Sequence, residues 1–444
     1  MSLSRLRATL DRGELGEELH RLCAELFPIC RSITGDGVRE TLAIVGRHLP
    51  VEVHEVPSGT PVLDWTVPQE WNIRNAHVTG PDGLRVIDFS RSNLHVLGYS
   101  EPVRARLPLD ELRAHLHTLP DQPDRIPYRT SYYRRDWGFC LSHAQASALA
   151  DGEYEVLIDS SIEDGSLTYG ECLIPGASDE EVLLTCHVCH PSLANDNLSG
   201  IALVGLVGGF LRSLPERRYS YRLLFIPGTI GSITWLARNP GPVARIRHGL
   251  VIAGTGDPGR PSYKRSRRDD AEIDRAVSHV LAHSVHDHDI LPFSPYGYDE
   301  RQFCSPGFNL PVGRFGRTPH GRYPEYHTSG DDLDFVRPEA LADSTLLVLA
   351  VLDVLEGNRS YRNLSPMGEP QLGRRGLYGS IGAQIDRAEA EMAMLWVLNL
   401  SDGGHSLLDI ADRSGLGFDS VRTAADTLID HGLLDPVPDT APSG

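Results

Sequence analysis

The chain has 444 residues, which is more than one ordinary domain holds and leaves room for two or three. Asp and Glu total 60 against 42 Lys and Arg, and this formal net charge of −18 argues against general binding of nucleic acid or anionic membranes. No uninterrupted apolar run reaches about 18 residues, so we expect no membrane-spanning segment. Seven scattered cysteines without framework spacing, and an N-terminus without a signal-like apolar core, predict a reduced, cytoplasmic protein.

The first part of the chain predicts two kinds of structure. Apolar residues recur at helical spacing over residues 14–27 and 37–49, and residues 51–56 alternate as a strand. From residue 57 to residue 142, short strand-like runs are joined by turns and prolines, without helices between them. We therefore predict a small β-rich domain at 57–142, inserted into an α/β domain that comprises 1–56 and 143–358.

The α/β domain shows strands and helices in alternation after the insertion. Strand-like runs at residues 182–184, 221–226 and 250–253 alternate with helical patterns at 201–214 and 271–282, and a last helix is predicted at 337–355. This alternation predicts an α/β fold with a mixed, mostly parallel sheet flanked by helices.

The C-terminal part predicts a winged-helix domain at residues 376–438. A linker-like stretch at 358–375 precedes helices at 385–400 and 406–411, a third helix that ends near residue 428, and a wing strand. The third helix carries Arg422 together with Asp419, Asp426 and Asp430, which argues against phosphate contacts. A structural or dimerising role is the main expectation, and a DNA-reading role remains the alternative.

Two histidines and an aspartate follow the buried strand at residues 181–186. His187 and His190 come directly after it, Pro191 ends it, and Asp196 precedes an apolar helix. Ligands bind at the carboxyl edge of parallel sheets, and His with Asp is a ligand set for zinc. The alternative is that one histidine only ends the strand and Asp196 only caps the helix. The C-x-x-C formed by Cys186 and Cys189 is also compatible with a redox pair or half a zinc knuckle.

Three further stretches carry candidate site residues. Asp257 follows another predicted strand, Asp299 and Glu300 belong to a charged run in a loop, and His327 is followed by several carboxylates that could fix its tautomer. A zinc hydrolase requires about three protein ligands and a carboxylate that accepts a proton from water.

These motifs carry a family resemblance. The stretch Cys-His187-Val-Cys-His-Pro-Ser-Leu-Ala-Asn-Asp196-Asn-Leu-Ser-Gly, the Asp299-Glu-Arg-Gln-Phe-Cys run and Tyr-His327-Thr-Ser-Gly-Asp resemble the zinc-dependent aminopeptidases, with their zinc-exopeptidase-like fold. Over nearly its whole length the chain more closely resembles bacterial aminopeptidase-like domain proteins linked with polysaccharide or secondary-metabolite biosynthesis. Those proteins combine an inserted β module with a C-terminal winged helix.

The resemblance implies roles for individual residues. His187 corresponds to the first zinc ligand, Asp196 to the carboxylate that bridges two zincs, and His327 to the last ligand. Asp257 falls where an acidic ligand follows a later strand, and Asp299 matches a position beside the site. His190 has no counterpart in the active enzymes, but it is close enough to His187 to compete for the metal.

One departure from the family pattern concerns the reaction itself. Active members have two consecutive glutamates after the strand at 221–226, one a general base and one a metal ligand, where this chain has Gly228 and Thr229. We therefore expect one Zn²⁺ rather than two. Losing the base lowers a rate by about 10²–10⁴-fold. Glu325, Glu300 and Asp257 are candidates to replace it, and Asp299, beside the site, is a further catalytic candidate.

Three hypotheses follow. The first is a zinc hydrolase that cleaves an amide bond of a small peptide-like or aminoacyl substrate, with a pocket shaped by Tyr296, Tyr298, Arg301, Arg314 and Tyr323. The second is a catalytically impaired pseudoenzyme that acts as a binding or assembly protein in polysaccharide or secondary-metabolite biosynthesis. The third is a ligand-sensing DNA reader. A homo-oligomer paired through the helix near Ile201 or the winged helix is left open.

Overall fold

The structure is a computed structural model that describes residues 2–319, 321–377 and 384–438. Within these residues the chain divides into two compact units. The first takes the residues up to Asp274 together with His286–Val348, and the second takes Arg275–Val285 and the described residues from Leu349 onward.

The helices of the described chain are numbered in chain order. They are α1 (Leu3–Thr9), α2 (Arg12–Leu26), α3 (Asp36–Val45), α4 (Leu109–Arg113), α5 (His143–Ser147), α6 (Ser199–Ser213), α7 (Ile230–Arg238), α8 (Pro240–Arg245), α9 (Glu272–Ala282), α10 (Glu300–Phe303), α11 (Pro338–Gly357), α12 (Gln384–Leu400), α13 (Leu407–Ser414) and α14 (Phe418–Asp430). A π-type turn, Ala194–Leu198, leads directly into α6.

The strands are numbered in the same way. They are β1 (Glu52–Pro57), β2 (Pro61–Val62), β3 (Trp65–Thr66), β4 (Glu70–Thr79), β5 (Arg85–Asp88), β6 (Val103–Pro108), β7 (Leu116–His117), β8 (Phe139–Cys140), β9 (Glu153–Glu163), β10 (Ser166–Ile174), β11 (Glu181–His187), β12 (Ser220–Ile226), β13 (Ile246–Ile252), β14 (Ser262–Lys264), β15 (Asp289–Leu291), β16 (Val312–Gly316), β17 (Ser360–Asn363), β18 (Asp402–Ser406) and β19 (Leu434–Pro436).

The main sheet of the first unit confirms the predicted mixed, mostly parallel arrangement. Its described strands have the order β1-β10-β12-β11-β13-β16-β14-β15. The central strands β12, β11, β13 and β16 are mutually parallel, whereas β1, β10 and the β14–β16 pairing are antiparallel. The apolar helix α6 packs against β10, β11, β12 and β13. Every residue of β11 and of β12 is buried, as expected for strands covered on both faces.

One helical stretch combines length with an apolar composition. The helical segment Ala194–Ser213 is long and apolar enough, by composition, to cross a bilayer, and 83% of that window is buried inside the fold. Its apolar side chains therefore pack against the sheet, as in the core helix of a folded domain.

The inserted β-rich segment extends further than its predicted boundary. Its sheet has the order β5-β4-β9-β6, and β9 (Glu153–Glu163) lies beyond residue 142. The sequence of β9 reads equally well as a strand of the α/β body, and only its long pairing with β4 and β6 assigns it to this sheet. The insertion belongs to the first compact unit and is not separated from it.

The second unit contains the predicted helices and a small sheet. That sheet has the order β18-β17-β19, so strand β17 (Ser360–Asn363) joins it from the stretch that was predicted as a linker. The second helix, α13, begins at Leu407 after a strand, Asp402–Ser406, that was not predicted. On α14, Arg422 pairs with Asp353 at 2.8 Å and with Asp419 at 2.6 Å. The absence of a nucleic-acid partner stays a prediction.

Candidate metal centre and cavity

The candidate site lies at the carboxyl ends of β11 and β12. The chain leaves β11 through α6, returns as β12 on one side of β11, and then crosses to β13 on its other side. Such a reversal of direction opens a crevice at the carboxyl edge of a parallel sheet. His187 is the last residue of β11, so its imidazole is placed at this edge by the strand itself.

Two imidazoles from distant parts of the chain face one carboxylate. His187 Nε2 lies 2.8 Å from Asp196 Oδ1, and His327 Nε2 lies 3.0 Å from Asp196 Oδ2. Asp196 is fully buried, His187 is nearly so, and His327 is partly exposed. The structure therefore brings together three of the residues that the sequence nominated as metal ligands.

A third imidazole, that of His190, joins this group. Its Nε2 lies 3.9 Å from Asp196 Oδ2, and the ligand atoms of His187, His190 and Asp196 all lie within 4.8 Å of one another. Burial lowers the pKa of His190 to about 3, so the ring is neutral at pH 7 and offers a lone pair. Burial by itself raises the pKa of Asp196, but the surrounding imidazoles outweigh it and hold the pKa well below its usual range.

Two neighbouring residues fix the turn that carries Asp196. The backbone N–H groups of Asn195 and Asp196 donate to the Asp331 carboxylate at 2.5 and 3.0 Å. The side-chain amide of Asn197 donates to the carbonyl of Ile252 at 3.0 Å and lies 3.3 Å from His187 Nδ1. Asp331, one of the carboxylates that follow His327, thus holds the Asp196 turn in place.

Aromatic rings support the three imidazoles. Tyr298 stacks on His187 with a centroid distance of 5.2 Å, and Tyr326 stacks on His327 at 3.9 Å. Tyr128 lies 5.1 Å from both His190 and His327. These contacts restrict the rings to the orientations in which their nitrogens face the Asp196 carboxylate.

A cavity of about 370 Å³ opens onto this cluster. Its walls are formed by the following residues: Ile33, Tyr128, Arg129, Thr130, Tyr132, His187, Cys189, His190, Gly228, Thr229, Gly297, Tyr298, Asp299, Tyr326 and His327. Sequence reasoning missed the contribution of residues 128–132, which belong to the inserted segment. A pairing of Pro127 with Thr328 and a hydrogen bond from Tyr128 N–H to the His327 carbonyl at 2.8 Å place them here.

The turn after β12 faces the same cavity without a carboxylate of its own. A Cβ built on Gly228 would lie 3.4 Å from Cys189 Sγ and 3.7 Å from His187 Cβ, which is ordinary contact distance. Thr229 has a φ of 60°, an uncommon conformation for a β-branched residue. Its N–H donates to Asp299 Oδ1 at 2.6 Å, and this bond helps to hold the turn.

Asp299 supplies the acidic side chain that lines the cavity beside the cluster. Ser232 Oγ donates to the same Oδ1 at 3.1 Å, and no described group bonds Oδ2. Burial raises the pKa of Asp299, although His187 and the hydrogen bonds from Thr229 and Ser232 act in the opposite direction. A buried carboxyl with a raised pKa is suited to exchange a proton with a bound molecule.

Within the described chain, three acidic residues that the sequence suggested as ligands or bases lie outside the imidazole cluster. Asp257 accepts hydrogen bonds from Asn195 Nδ2 at 3.0 Å and from Thr318 Oγ1 at 2.5 Å. Glu300 pairs with Lys264 Nζ at 2.5 Å, and Glu325 pairs with Arg125 Nη2 at 2.9 Å. Each carboxylate is therefore engaged by donors of the chain, and none lines the cavity.

Of the aromatic and cationic pocket residues that the sequence suggested, some line the cavity and others lie outside its wall. Tyr298 lines the cavity, whereas Arg314 is buried and donates to Ser262 Oγ at 2.9 Å and to the Ala253 carbonyl at 2.7 Å. Arg301 Nη2 lies 3.4 Å from Thr229 Oγ1. Of the C-x-x-C pair, both cysteines are free and buried, and Cys189 accepts a hydrogen bond from Gly228 N–H at 3.2 Å.

Comparison with known proteins settles the family. Residues 20–358 match DUF4910, described as a domain of unknown function, and residues 359–436 match a winged helix-turn-helix family. The chain belongs to the DUF4910 family. The second match begins 17 residues before the predicted start of the winged-helix domain, in agreement with the position of β17.

Relatives of this DUF4910 chain agree on an aminopeptidase-like fold. A Clostridium acetobutylicum protein described as a candidate polysaccharide biosynthesis protein with an aminopeptidase-like domain is 53% identical, over 96% of this chain and 97% of its own length. A crystal structure from the same organism, described as a candidate peptidase, has 51% identity and a TM-score of 0.92 over 96% of this chain and 97% of that chain.

Solved aminopeptidases of lower similarity share the fold. A zinc aminopeptidase from Bacillus subtilis has a TM-score of 0.55 and 10% identity, over 76% of this chain and 94% of that chain. An M28 peptidase precursor from Shewanella amazonensis has a TM-score of 0.56 and 14% identity, over 80% of this chain and 96% of that chain. The predicted resemblance to zinc aminopeptidases with a C-terminal winged helix is confirmed at the level of fold and family.

Proposed function

We propose that this protein is a metal-dependent hydrolase that cleaves an amide bond of a small peptide-like or aminoacyl substrate. The observation that carries the proposal is the convergence of His187, His190 and His327 on the Asp196 carboxylate at the wall of one cavity. The cavity volume lies at the small end of the usual range for ligand sites, about 300–1,000 Å³, which fits a substrate of few residues.

The donor set fits a zinc ion. Three imidazoles and one carboxylate are among the ligands that zinc prefers, and His190 supplies a donor that partly offsets the missing carboxylates after β12. An ion held by these groups would act as a Lewis acid toward the amide carbonyl. The ionised state of Asp196 and the neutral state of His190 are the forms that bind a cation.

Asp299 is our candidate for the proton acceptor, in place of Glu325, Glu300 or Asp257. It lines the cavity, and the two hydrogen bonds on Oδ1 hold the side chain while leaving Oδ2 available. Since burial raises its pKa, the carboxylate accepts a proton more readily than an exposed aspartate does. Activity should therefore fall on acidification through a pKa above the ordinary range of aspartic acid.

A second candidate function rests on the turn after β12. Gly228 and Thr229 offer no ionised oxygen, so the chain lacks both carboxylates that the aminopeptidase resemblance places there. Under this alternative, the cavity binds a metal and a peptide-like ligand without cleaving it, as a binding or assembly protein in polysaccharide or secondary-metabolite biosynthesis.

Metal content and turnover separate these two functions. The full chain is dialysed against zinc, its bound metal is measured, and aminoacyl-nitroanilides and dipeptides are screened for cleavage. Bound zinc with turnover supports the hydrolase, whereas bound zinc with no cleavage of any substrate favours the binding protein. A chain that retains no zinc contradicts both.

A matched pair of variants tests the proton acceptor. Asp299→Asn removes the acceptor but keeps the size of the side chain, and we expect kcat to fall by about 10²–10⁴-fold. Glu325→Gln is the control, because Glu325 pairs with Arg125 and does not line the cavity. Equal losses in the two variants would refute the role of Asp299.

A further inference from the structure

Arg129 stands out among the cavity-lining residues as an exposed cation. Neighbouring arginines of the inserted segment pair with carboxylates: Arg125 with Glu325 at 2.9 Å, Arg134 with Asp136 at 2.6 Å and Arg135 with Glu101 at 3.6 Å. Among the described residues, no carboxylate pairs with Arg129. In a chain with a formal net charge of −18, an arginine without a partner at a cavity wall is available to an anion from outside.

The backbone holds Arg129 in a fixed position relative to the imidazole cluster. The carbonyl of Arg129 accepts from Gly98 N–H at 2.9 Å, and the preceding residue, Tyr128, donates its N–H to the His327 carbonyl at 2.8 Å. The adjoining backbone is fixed further by a hydrogen bond from Ser329 N–H to the Ile126 carbonyl at 2.8 Å. The guanidinium is thus carried by a segment tied to the loop that presents His327.

The cavity therefore presents opposite charges from two different elements. Asp299 is its acidic lining residue, tied to the turn after β12, and Arg129 is its cationic lining residue, carried by the inserted segment. Tyr128, Tyr132, Tyr298 and Tyr326 supply aromatic surface in the same cavity. A short peptide has a matching pattern, with an amine, apolar side chains and a terminal carboxylate.

We propose that Arg129 binds the terminal carboxylate of the substrate, so that the inserted segment selects small peptide-like molecules with a free carboxyl group. A guanidinium pairs with a carboxylate through two parallel hydrogen bonds, whereas an amide at the same place offers a single acceptor oxygen and carries no charge. The inference rests on the proposed function for the identity of the ligand as peptide-like, but the binding step does not require cleavage.

Two ligands that differ only at the carboxyl group test the proposal. Leucylglycine and leucylglycinamide are titrated into the zinc-dialysed full chain, and Kd is measured by calorimetry, or KM where turnover accompanies binding. We expect wild type to prefer leucylglycine by about tenfold, which corresponds to about 1.4 kcal/mol. In Arg129→Gln the preference should vanish, and Arg129→Lys should retain part of it because the charge remains without the planar fork.

The control is Arg104→Gln, which makes the same change of charge on an exposed position of β6 in the inserted segment, outside the cavity lining. It should leave the preference unchanged. Equal affinity of wild type for the two ligands, no binding of either, or a preference that survives Arg129→Gln would overturn the inference. A preference without turnover sinks the hydrolase proposal alone, whereas turnover of both ligands with equal KM sinks this inference alone.

Discussion

Two buried carboxylates lie near opposite ends of strand β11, and their surroundings differ in one respect. At the amino end, Glu181 faces two cations of the chain: Arg222 Nε at 2.5 Å and Arg245 Nε at 2.7 Å. Beyond the carboxyl end, Asp196 faces the imidazoles of His187 and His327 and no arginine or lysine among its described partners. Both carboxylates are nearly inaccessible to solvent, with Glu181 at 1% exposure and Asp196 at 0%.

This difference distinguishes a structural charge from a functional one. Transferring an ionised carboxylate from water into a protein interior costs several kcal/mol, which a nearby opposite charge must offset. The chain itself supplies that charge at Glu181. At Asp196 it supplies imidazoles and, among the described partners, no arginine or lysine. Imidazoles around a carboxylate are also a donor set for a cation, which is why we propose metal binding at one end of the strand and a structural role at the other.

The largest expected effect is on stability at the amino end. Glu181→Gln leaves Arg222, which is 3% exposed, with an incompletely compensated charge, and we expect the free energy of unfolding to fall by about 3–5 kcal/mol, measured by urea denaturation. The neighbouring variant Glu180→Gln breaks an ion pair with Arg247 in which both partners are about one-third exposed or more, so it should cost no more than about 1 kcal/mol. Similar losses in the two variants would contradict the structural role of Glu181.

At the carboxyl end, the diagnostic effect is the response of stability to zinc. Zinc at about 100 times its Kd should raise the free energy of unfolding of wild type by about 2.7 kcal/mol. Asp196→Asn should abolish this gain, because the amide no longer carries the charge on which the imidazoles converge. Without zinc, the variant should be somewhat less stable than wild type at pH 7, because a carboxylate whose folded-state pKa lies well below its usual range stabilises the fold above that pKa. A full zinc response in Asp196→Asn, in thermal or urea unfolding, would rule out the assigned metal centre.

Part of this arrangement was predictable from the sequence for a simple physical reason. His187 follows an apolar run that had to be a buried strand, and in a parallel sheet the residues after such strands share one edge. The same rule does not place Asp299 and His327, because neither directly follows a central strand. Only the family resemblance put these two residues near the site. The mostly parallel sheet followed from the alternation of strands and helices, whereas the aminopeptidase-like fold came from the family resemblance.

The choice among carboxylates was not predictable, because it depends on contacts between residues far apart in the chain. Glu325 is two residues from His327 but is engaged by Arg125, 200 positions away. Asp257 follows a central strand as expected, yet its carboxylate receives donors from Asn195 and Thr318. Nothing local in the sequence of residues 125–131 indicates that they pair with the His327 loop, so the cavity wall that they form was missed as well.

The smallest expected effect tests whether a carboxylate at the end of β12 would make that turn resemble the end of β11. Gly228→Glu is sterically acceptable at Cβ, which would meet Cys189 Sγ at 3.4 Å and His187 Cβ at 3.7 Å. We expect zinc affinity to rise by about tenfold, or about 1.4 kcal/mol, because the new carboxylate adds a negative charge beside the imidazoles. Gly228→Gln is the matched control, with nearly the same shape and no charge. Competition with a chromogenic chelator measures both affinities. If the two variants bind zinc equally, charge at the end of β12 does not limit metal binding. The absence of the two family glutamates from this turn would then matter for proton transfer and not for metal affinity.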